Sequence, residues 1–151
     1  MRFLLPALLL IAAATARAAQ TQPTWHLSLQ LHSLHEHTTE VDLHDDTPGI
    51  GVMRITPGLW LTGAGVFRNS LARTAGYAYV GKQWPIGKIQ VGGIAGLTHH
   101  YNFNNGGIVP LAAGMVTIPL HDRWAIDILG IPRIDGYTYT TVHFALRWRF
   151  R

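Results

Sequence analysis

The sequence predicts an all-β fold, an eight-stranded antiparallel transmembrane β-barrel that follows a cleaved signal peptide. The first observation is the amino terminus, where Arg2 precedes an apolar run and Ala16-Arg17-Ala18 has the small residues of a cleavage site. The second is composition, because 48% of the residues are apolar and only 13% are charged. No apolar run after residue 18 approaches the roughly 20 residues of a membrane helix. The third is strict alternation near the carboxyl terminus, so we expect an exported chain that crosses a membrane with strands.

The predicted strand over 138–150 shows this alternation most clearly. From Val142 to Phe150, every second residue is apolar, while the opposite face carries Arg147 and Arg149. Successive side chains of a strand point to opposite faces, so one face would contact lipid and the other would line the interior. The aromatic end of this strand also resembles the recognition signal of bacterial outer-membrane proteins.

Turn and loop signals divide residues 19–151 into one domain of eight strands, with no linker. Pro57-Gly58 marks one short turn, and longer polar connections cover 36–47 and 99–107. Short and long connections tend to alternate, as expected for the two ends of an outer-membrane barrel. The predicted strands are 25–35, 49–56, 59–68, 74–84, 87–98, 108–118, 122–131 and 138–150.

Charge and cysteine content exclude several classes of function. The chain has no cysteine, which rules out disulfides, thiolate metal sites and cysteine nucleophiles. The formal net charge is only +4, and Arg2 and Arg17 fall within the predicted signal peptide, so we expect no nucleic-acid partner. His35 and His37 are spaced to share a strand face and clip a metal, but a solvated outer loop is the interpretation we favour. We assign no metal and no cofactor.

Glycines and prolines inside predicted strands each leave two interpretations open. The glycines of "LTGAGV" (61–66) and "VGGIAGL" (91–97) would empty interior volume for a slender ligand such as an acyl chain, or merely allow curvature. Pro110 and Pro132 would open a gap between predicted strands 6 and 7 and admit lipid sideways, or would lie beyond the hydrogen-bonded span. Inside the barrel, we expect Arg147 and Arg149 to pair with Asp127.

Several short motifs, in order, resemble the lipid A palmitoyltransferase family, PagP. The motifs are "TPGIG" (47–51), "FRNS" (67–70), "AGYAY" (75–79), "VPLAAG" (109–114), "GIPRI" (130–134) and "VHFALRWRF" (142–150). The resemblance covers most of residues 19–151. It implies a barrel of the bacterial outer membrane that moves an acyl chain from a phospholipid to lipid A. It also implies phospholipid and lipopolysaccharide as partners, and we expect a monomer.

The resemblance implies a catalytic site near the outer end of the first strand. That family needs a histidine there and an adjacent Asp-Ser pair, which align with Asn69 and Ser70 of "FRNS". For the histidine, we prefer His35 to His32, and both to His26, which matches locally but lies too early. Acyl transfer needs a base for the acceptor hydroxyl and donors for an oxyanion. Asn69 supplies an amide where the family has a carboxylate.

Two functions from different classes remain open. Ser70, His35 and the two prolines favour an acyltransferase. Asn69 favours a non-catalytic barrel with a structural or lipid-binding role, as does the short segment 19–24, which replaces the family's amphipathic helix. An ordinary hairpin turn also explains the asparagine and the serine, because both residue types hydrogen-bond their own backbone.

The resemblance also implies a floor for the acyl pocket. In that family, a glycine on the strand after the serine forms this floor, and "AGYAY" aligns Ala78 with it. Ala78 shares a face with Gly76, opposite Tyr77 and Tyr79. If the tyrosines face lipid, the Ala78 methyl group points inward, raises the floor, and favours chains shorter than palmitate.

Overall fold

The computed structural model describes residues 21–36, 43–100, 105–133 and 139–151. Eight antiparallel strands form one sheet that closes into a barrel, because each strand pairs with its sequence neighbour and the first pairs with the last. The strands are β1 Thr24–His35, β2 Asp46–Ile55, β3 Trp60–Arg68, β4 Thr74–Ile86, β5 Ile89–Thr98, β6 Val109–His121, β7 Trp124–Ile131 and β8 Thr141–Arg149. The predicted all-β, eight-stranded antiparallel barrel is therefore confirmed. The predicted signal peptide, 1–18, lies outside the described residues.

The described residues contain no helix that is both long and apolar enough to cross a membrane.

Of the strands that extend further than the sequence indicated, β2 and β6 do so most. β2 begins at Asp46, ahead of the predicted 49, because Asp46 pairs with His32 of β1. β6 continues to His121, past the predicted 118, and its register with β7 shifts between Pro119 and His121. Proline at such an irregularity removes no regular ladder hydrogen bond, so the strand tolerates it.

The two ends of the barrel differ in their connections and aromatic residues. The turns 56–59, 87–88 and 122–123 lie at one end, here called the turn end. The connections 36–45, 69–73, 99–108 and 132–140 lie at the other, the loop end. All five tryptophans lie near the turn end of their strands, namely Trp25, Trp60, Trp84, Trp124 and Trp148.

The outer surface of the strands is apolar. Val142 of β8 and Phe150, which follows it, are exposed, whereas His143, Ala145 and Arg147 are buried between them, as the alternation predicted. Further large apolar side chains are exposed on the other strands, including Ile50, Val52, Val66, Val80 and Leu97. The barrel thus exposes many large apolar side chains, which are mostly buried in a soluble domain.

Inward glycines on β3 accommodate two tyrosine rings. Tyr77 and Tyr79 of β4 point into the barrel and stack at 6.0 Å with an interplanar angle of 7°. A Cβ atom at Gly63 would lie 2.5 Å from the Tyr79 ring, and one at Gly65 would lie 2.6 Å from the Tyr77 hydroxyl. The space that these two glycines leave is therefore occupied by tyrosine rather than left open for a ligand.

Gly96 of β5 provides a test of this close packing. A Cβ atom there would overlap the Ala78 carbonyl oxygen and the backbone of Tyr79, whereas a Cβ at Gly130 meets nothing within 4 Å. We expect Gly96→Ala to lower the free energy of unfolding by about 1–3 kcal/mol, as overpacking does. Gly130→Ala is the matched control and should change it by less than about 0.5 kcal/mol. Urea unfolding in detergent micelles, followed by tryptophan fluorescence, measures both; equal stabilities would contradict the packing.

A buried charged network crosses the interior toward the turn end. Arg147 lies 3.4 Å from Asp127, and both side chains are almost fully buried. The Thr117 hydroxyl donates to Asp127 at 2.6 Å, and Gln83 donates to Thr117 at 2.7 Å. The predicted pairing of Arg147 with Asp127 is confirmed. The prediction for Arg149 is wrong, because its guanidinium donates to the Asp122 carbonyl at the turn end.

Candidate functional site

A cavity of about 170 Å³ occupies the barrel interior and reaches the loop end. Residues near the loop end line its mouth, among them His35, Leu43, Ser70, Leu71 and Tyr139. Deeper in the barrel, the lining includes Met53, Ile94, Met115, Leu129 and Ala145. The deep wall is mostly apolar, with Asp127 as a charged exception, so the cavity suits a slender apolar ligand with its polar end at the mouth.

A bulge in β1 determines which histidine faces the cavity. The register of β1 with both neighbours shifts between Gln30 and His32, and an extra residue reverses the facing of those that follow. Ser33 and His35 consequently point inward. The His35 side chain is only 7% exposed, lines the cavity, and places Nδ1 3.1 Å from the carboxylate of Asp45.

The other two histidine candidates lie elsewhere. The His32 side chain is 42% exposed and sits 3.3 Å from Asp46 at the barrel surface. His26 is buried at the turn end of β1, where its Nε2 lies 2.9 Å from the Thr24 hydroxyl. Of the three, only His35 lines the cavity.

The β3–β4 connection separates the roles of Asn69 and Ser70. Asn69 is fully buried, and its Oδ1 accepts from the backbone N–H groups of Leu71 at 3.1 Å and Arg73 at 3.0 Å. Its Nδ2 donates to the His100 carbonyl at 2.9 Å. All polar atoms of this amide thus hold the connection together, as the turn interpretation predicted. Ser70 instead lines the cavity.

Asp45, rather than the residue at position 69, supplies a carboxylate to His35. The backbone N–H of His44 donates to the Ser70 carbonyl at 2.8 Å, and that of Ser33 donates to the Asp45 carbonyl at 2.7 Å. These bonds hold the end of the β1–β2 connection across the cavity mouth, between β1 and the β3–β4 connection. Asp45 therefore orients the His35 ring. Sequence reasoning missed this residue because Asp45 is one of several acids in a loop with no distinguishing spacing.

A second polar group lies on the same inner wall. The Ser33 hydroxyl is 2.8 Å from Nδ1 of His143 and 3.0 Å from the Thr47 hydroxyl. Nε2 of His143 is 2.6 Å from Oε1 of Gln30. The alternation of β8 already placed His143 inward, but the facing of Ser33 depends on the bulge, which no sequence pattern marks.

The described pairing of β6 with β7 covers only part of β6. In the described part of the chain, β6 and β7 pair from Gly114 and Gly130 toward the turn end. Among the described pairs, Val109–Ala113 of β6 are matched with β5, and Pro132 follows the last residue of β7. Pro132 therefore lies after the last residue of β7, whereas Pro110 lies within β6 and pairs with Leu97 of β5, and the lateral opening stays a prediction.

The predicted floor position is wrong. Tyr77 and Tyr79 line the cavity, so the alternating residues Gly76 and Ala78 belong to the outer face, and Ala78 is exposed. The premise that the tyrosines face lipid fails because the glycines of β3 leave room for their rings inside. The Gly76 backbone N–H donates to His99 Nε2 at 2.9 Å. Neither residue can form the floor of an interior pocket.

Among the described residues, no three His, Cys, Asp or Glu side chains are grouped closely enough to hold a metal ion. His37 of the considered metal clip lies outside the described residues, and His35 pairs with Asp45 instead.

No protein-family model matches the chain, and a search of curated proteins finds no match. The likeness to lipid A palmitoyltransferases therefore rests on the short motifs and their order, and function must be argued from the site itself.

Proposed function

We propose that the protein is an acyltransferase of the bacterial outer membrane that moves an acyl chain from a phospholipid to lipid A or a related lipid. One observation carries this proposal: an apolar cavity whose mouth brings together His35, held by Asp45, and Ser70. A chain buried in the cavity would present its ester group to these residues.

The outer surface supports the proposed membrane location. Exposed apolar side chains cover the strands, and the tryptophans gather at the turn end. Bands of this kind match the lipid-facing belt and an interfacial aromatic girdle of outer-membrane barrels. Short turns then lie in the periplasm, and the loop end with the cavity mouth faces outward, where lipid A resides.

His35 is the general base in this mechanism. Its Nδ1–H donates to Asp45, which leaves Nε2 to take the proton of the acceptor hydroxyl. The acceptor oxygen attacks the ester carbonyl, the bond to the glycerol oxygen breaks, and His35 returns the proton to that oxygen. Asp45 stabilises the imidazolium formed between these steps, and the Ser70 hydroxyl is the donor for the oxyanion. No cofactor is required.

The loop-end part of β6 and β7 is the route we propose for the donor. Val109, Pro110 and Leu111 of β6 line the cavity beside it, as do Leu129 and Ile131 of β7. We propose that a phospholipid chain enters sideways here, because Pro110 in β6 and Pro132 after β7 cannot donate ladder hydrogen bonds.

Ala145 should set chain length in place of Ala78. Ala145 is 2% exposed and lines the deep cavity, so Ala145→Leu should shift selectivity toward shorter donors. Each excluded methylene costs roughly 0.8 kcal/mol, or about fourfold in preference. Ala78→Leu adds the same volume on the outer face and is the matched control. Competition between donors of graded acyl length measures both; the same shift in Ala78→Leu would refute this assignment.

The alternative is a non-catalytic barrel that binds lipid. Two observations favour it. The Asn69 amide is used in hydrogen bonds to backbone groups around the turn, and the Asp45 side chain is 53% exposed. Purified protein in detergent, given a phospholipid with an isotope-labelled chain and lipid A, separates the two functions. The acyltransferase should yield lysophospholipid and labelled lipid A in equal amounts. Bound phospholipid without either product would establish the alternative.

A further inference from the structure

The orientation of the Gln30 amide sets the tautomer of His143. The Gln30 amide nitrogen donates to the Tyr77 hydroxyl at 2.8 Å and to the Ser28 hydroxyl at 3.0 Å. Both its hydrogens are thereby used, and Oε1 is the atom that faces His143 Nε2, at 2.6 Å. An amide oxygen only accepts, so Nε2 of His143 carries the hydrogen.

The remaining nitrogen of His143 must therefore accept. Its Nδ1 lies 2.8 Å from the Ser33 hydroxyl, which is the donor of this bond. A serine that donates to an imidazole, itself oriented by a third group, has the arrangement of an activated nucleophile. The Thr47 hydroxyl, 3.0 Å from Ser33 Oγ, is a donor within reach of an oxyanion formed there.

The position of this group suits an ester at the cavity mouth. Ser33 of β1 and His143 of β8 are cross-strand partners, and the pair Leu34–Val142 separates them from the loop-end pair of His35 and Thr141. Ser33 is 3% and His143 9% exposed, yet both line the cavity. A chain that extends into the apolar interior would thus leave its carbonyl near Ser33.

We propose that Ser33 is the nucleophile of a second catalytic centre in the same cavity, which acts on long-chain carboxylic esters. His143 is its general base, and Gln30 is a positioning residue. This activity is separate from the His35 mechanism, in which no bond forms between the acyl chain and the protein.

The reaction proceeds through an acyl-serine ester. Ser33 Oγ attacks the carbonyl carbon, and its proton passes to His143 Nδ1. The bond to the leaving alcohol breaks, and His143 returns the proton to that oxygen. Water or an acceptor hydroxyl then attacks the acyl-serine, its proton moves to His143 and on to Ser33 Oγ, and a fatty acid or a new ester leaves.

In this centre the group that orients the histidine is the Gln30 amide, whereas a catalytic triad has a carboxylate there. An amide oxygen orients the ring but provides no charge to stabilise imidazolium. We therefore expect slow reaction, and Gln30→Glu should accelerate it at least several-fold and change its pH profile. A Gln30 with a purely structural role would leave the pH profile unchanged.

A long-chain alkyl fluorophosphonate, which phosphonylates activated serines, tests the proposal on the full chain folded in detergent. Intact mass and peptide mapping should find one adduct, on Ser33, that is absent in Ser33→Ala. Labelling should be slowed at least about a hundredfold in His143→Gln, the usual effect of losing a general base, and unchanged in His32→Gln on the outer surface. Heat-dependent gel mobility verifies that each variant is folded.

Mapping the unmodified chain decides the question even if a variant fails to fold. An adduct on Ser70, or no adduct at all, would overturn the proposal. Neither result depends on lipid A acylation. If Ser33 is not labelled, the His35 mechanism is unaffected. If lipid A is not acylated, we still expect labelling of Ser33.

Discussion

Replacing His35 with glutamine is expected to lower acyl transfer by about 10²–10⁴-fold, the usual contribution of a general base. Glutamine retains a hydrogen-bonding side chain of similar length but cannot take the acceptor proton. The His35 side chain lines the cavity, whereas that of His32, on the same strand, lies at the surface. His32→Gln is therefore the matched control and should stay within about twofold of the unmodified protein. Initial rates of labelled chain transfer to lipid A measure both variants.

The same assay tests the carboxylate that orients His35. Asp45→Asn should slow transfer, but less than His35→Gln, because half of the Asp45 side chain is exposed and water replaces part of its effect. Asn69→Asp should not compensate, since the Asn69 amide is occupied by Leu71, Arg73 and His100. If Asn69→Asp restores transfer to Asp45→Asn, the carboxylate belongs at 69 and our geometry of the mouth is wrong.

Replacing Arg147 with methionine is expected to cost about 3–5 kcal/mol of stability, because it leaves the buried Asp127 carboxylate without its partner. Arg149→Met is the control and should cost less than about 1 kcal/mol, since Arg149 donates to a carbonyl at the turn end. Urea unfolding in micelles provides both values.

A double variant distinguishes the ion pair from simple packing. Arg147→Met with Asp127→Leu removes both charges, and replacement of a buried pair by apolar residues is often neutral. We expect this combination to recover most of the stability lost in Arg147→Met. Additive losses would mean that the 3.4 Å contact contributes little and that Arg147 acts through its packing alone.

The barrel was predictable because its strands alternate and its turns carry recognisable residues. In β8, the spacing of Val142, Arg147 and Phe150 was sufficient to assign the inner and outer faces. The sequence could not show which face of β4 points inward, because tyrosines are suited both to a membrane interface and to a protein interior. The cross-strand neighbours Gly63 and Gly65 decide it, and a pattern within one strand contains no information about its neighbours.

The lining of the cavity mouth was predictable only where a residue's facing followed from its own strand end. Ser70 and His35 were predicted near the mouth and line the cavity, whereas the positions of Asp45 and of the Ser33–His143 pair were not predicted. Ser33 faces inward because of the bulge after Gln30, and a bulge adds one residue without a sequence signature of its own. Asp45 reaches His35 through the fold of a loop, which periodicity does not describe.

The central claim is that this barrel acylates lipid A, and the mass of lipid A in cells tests it most directly. The chain should be expressed in a bacterial strain that lacks its own lipid A palmitoyltransferase, beside a strain that expresses His35→Gln to an equal level. Lipid A is then extracted after membrane stress and weighed by mass spectrometry. We predict a species heavier by one acyl chain with the unmodified protein and not with His35→Gln. An unchanged lipid A spectrum, with the folded barrel present in the outer membrane, would contradict the account.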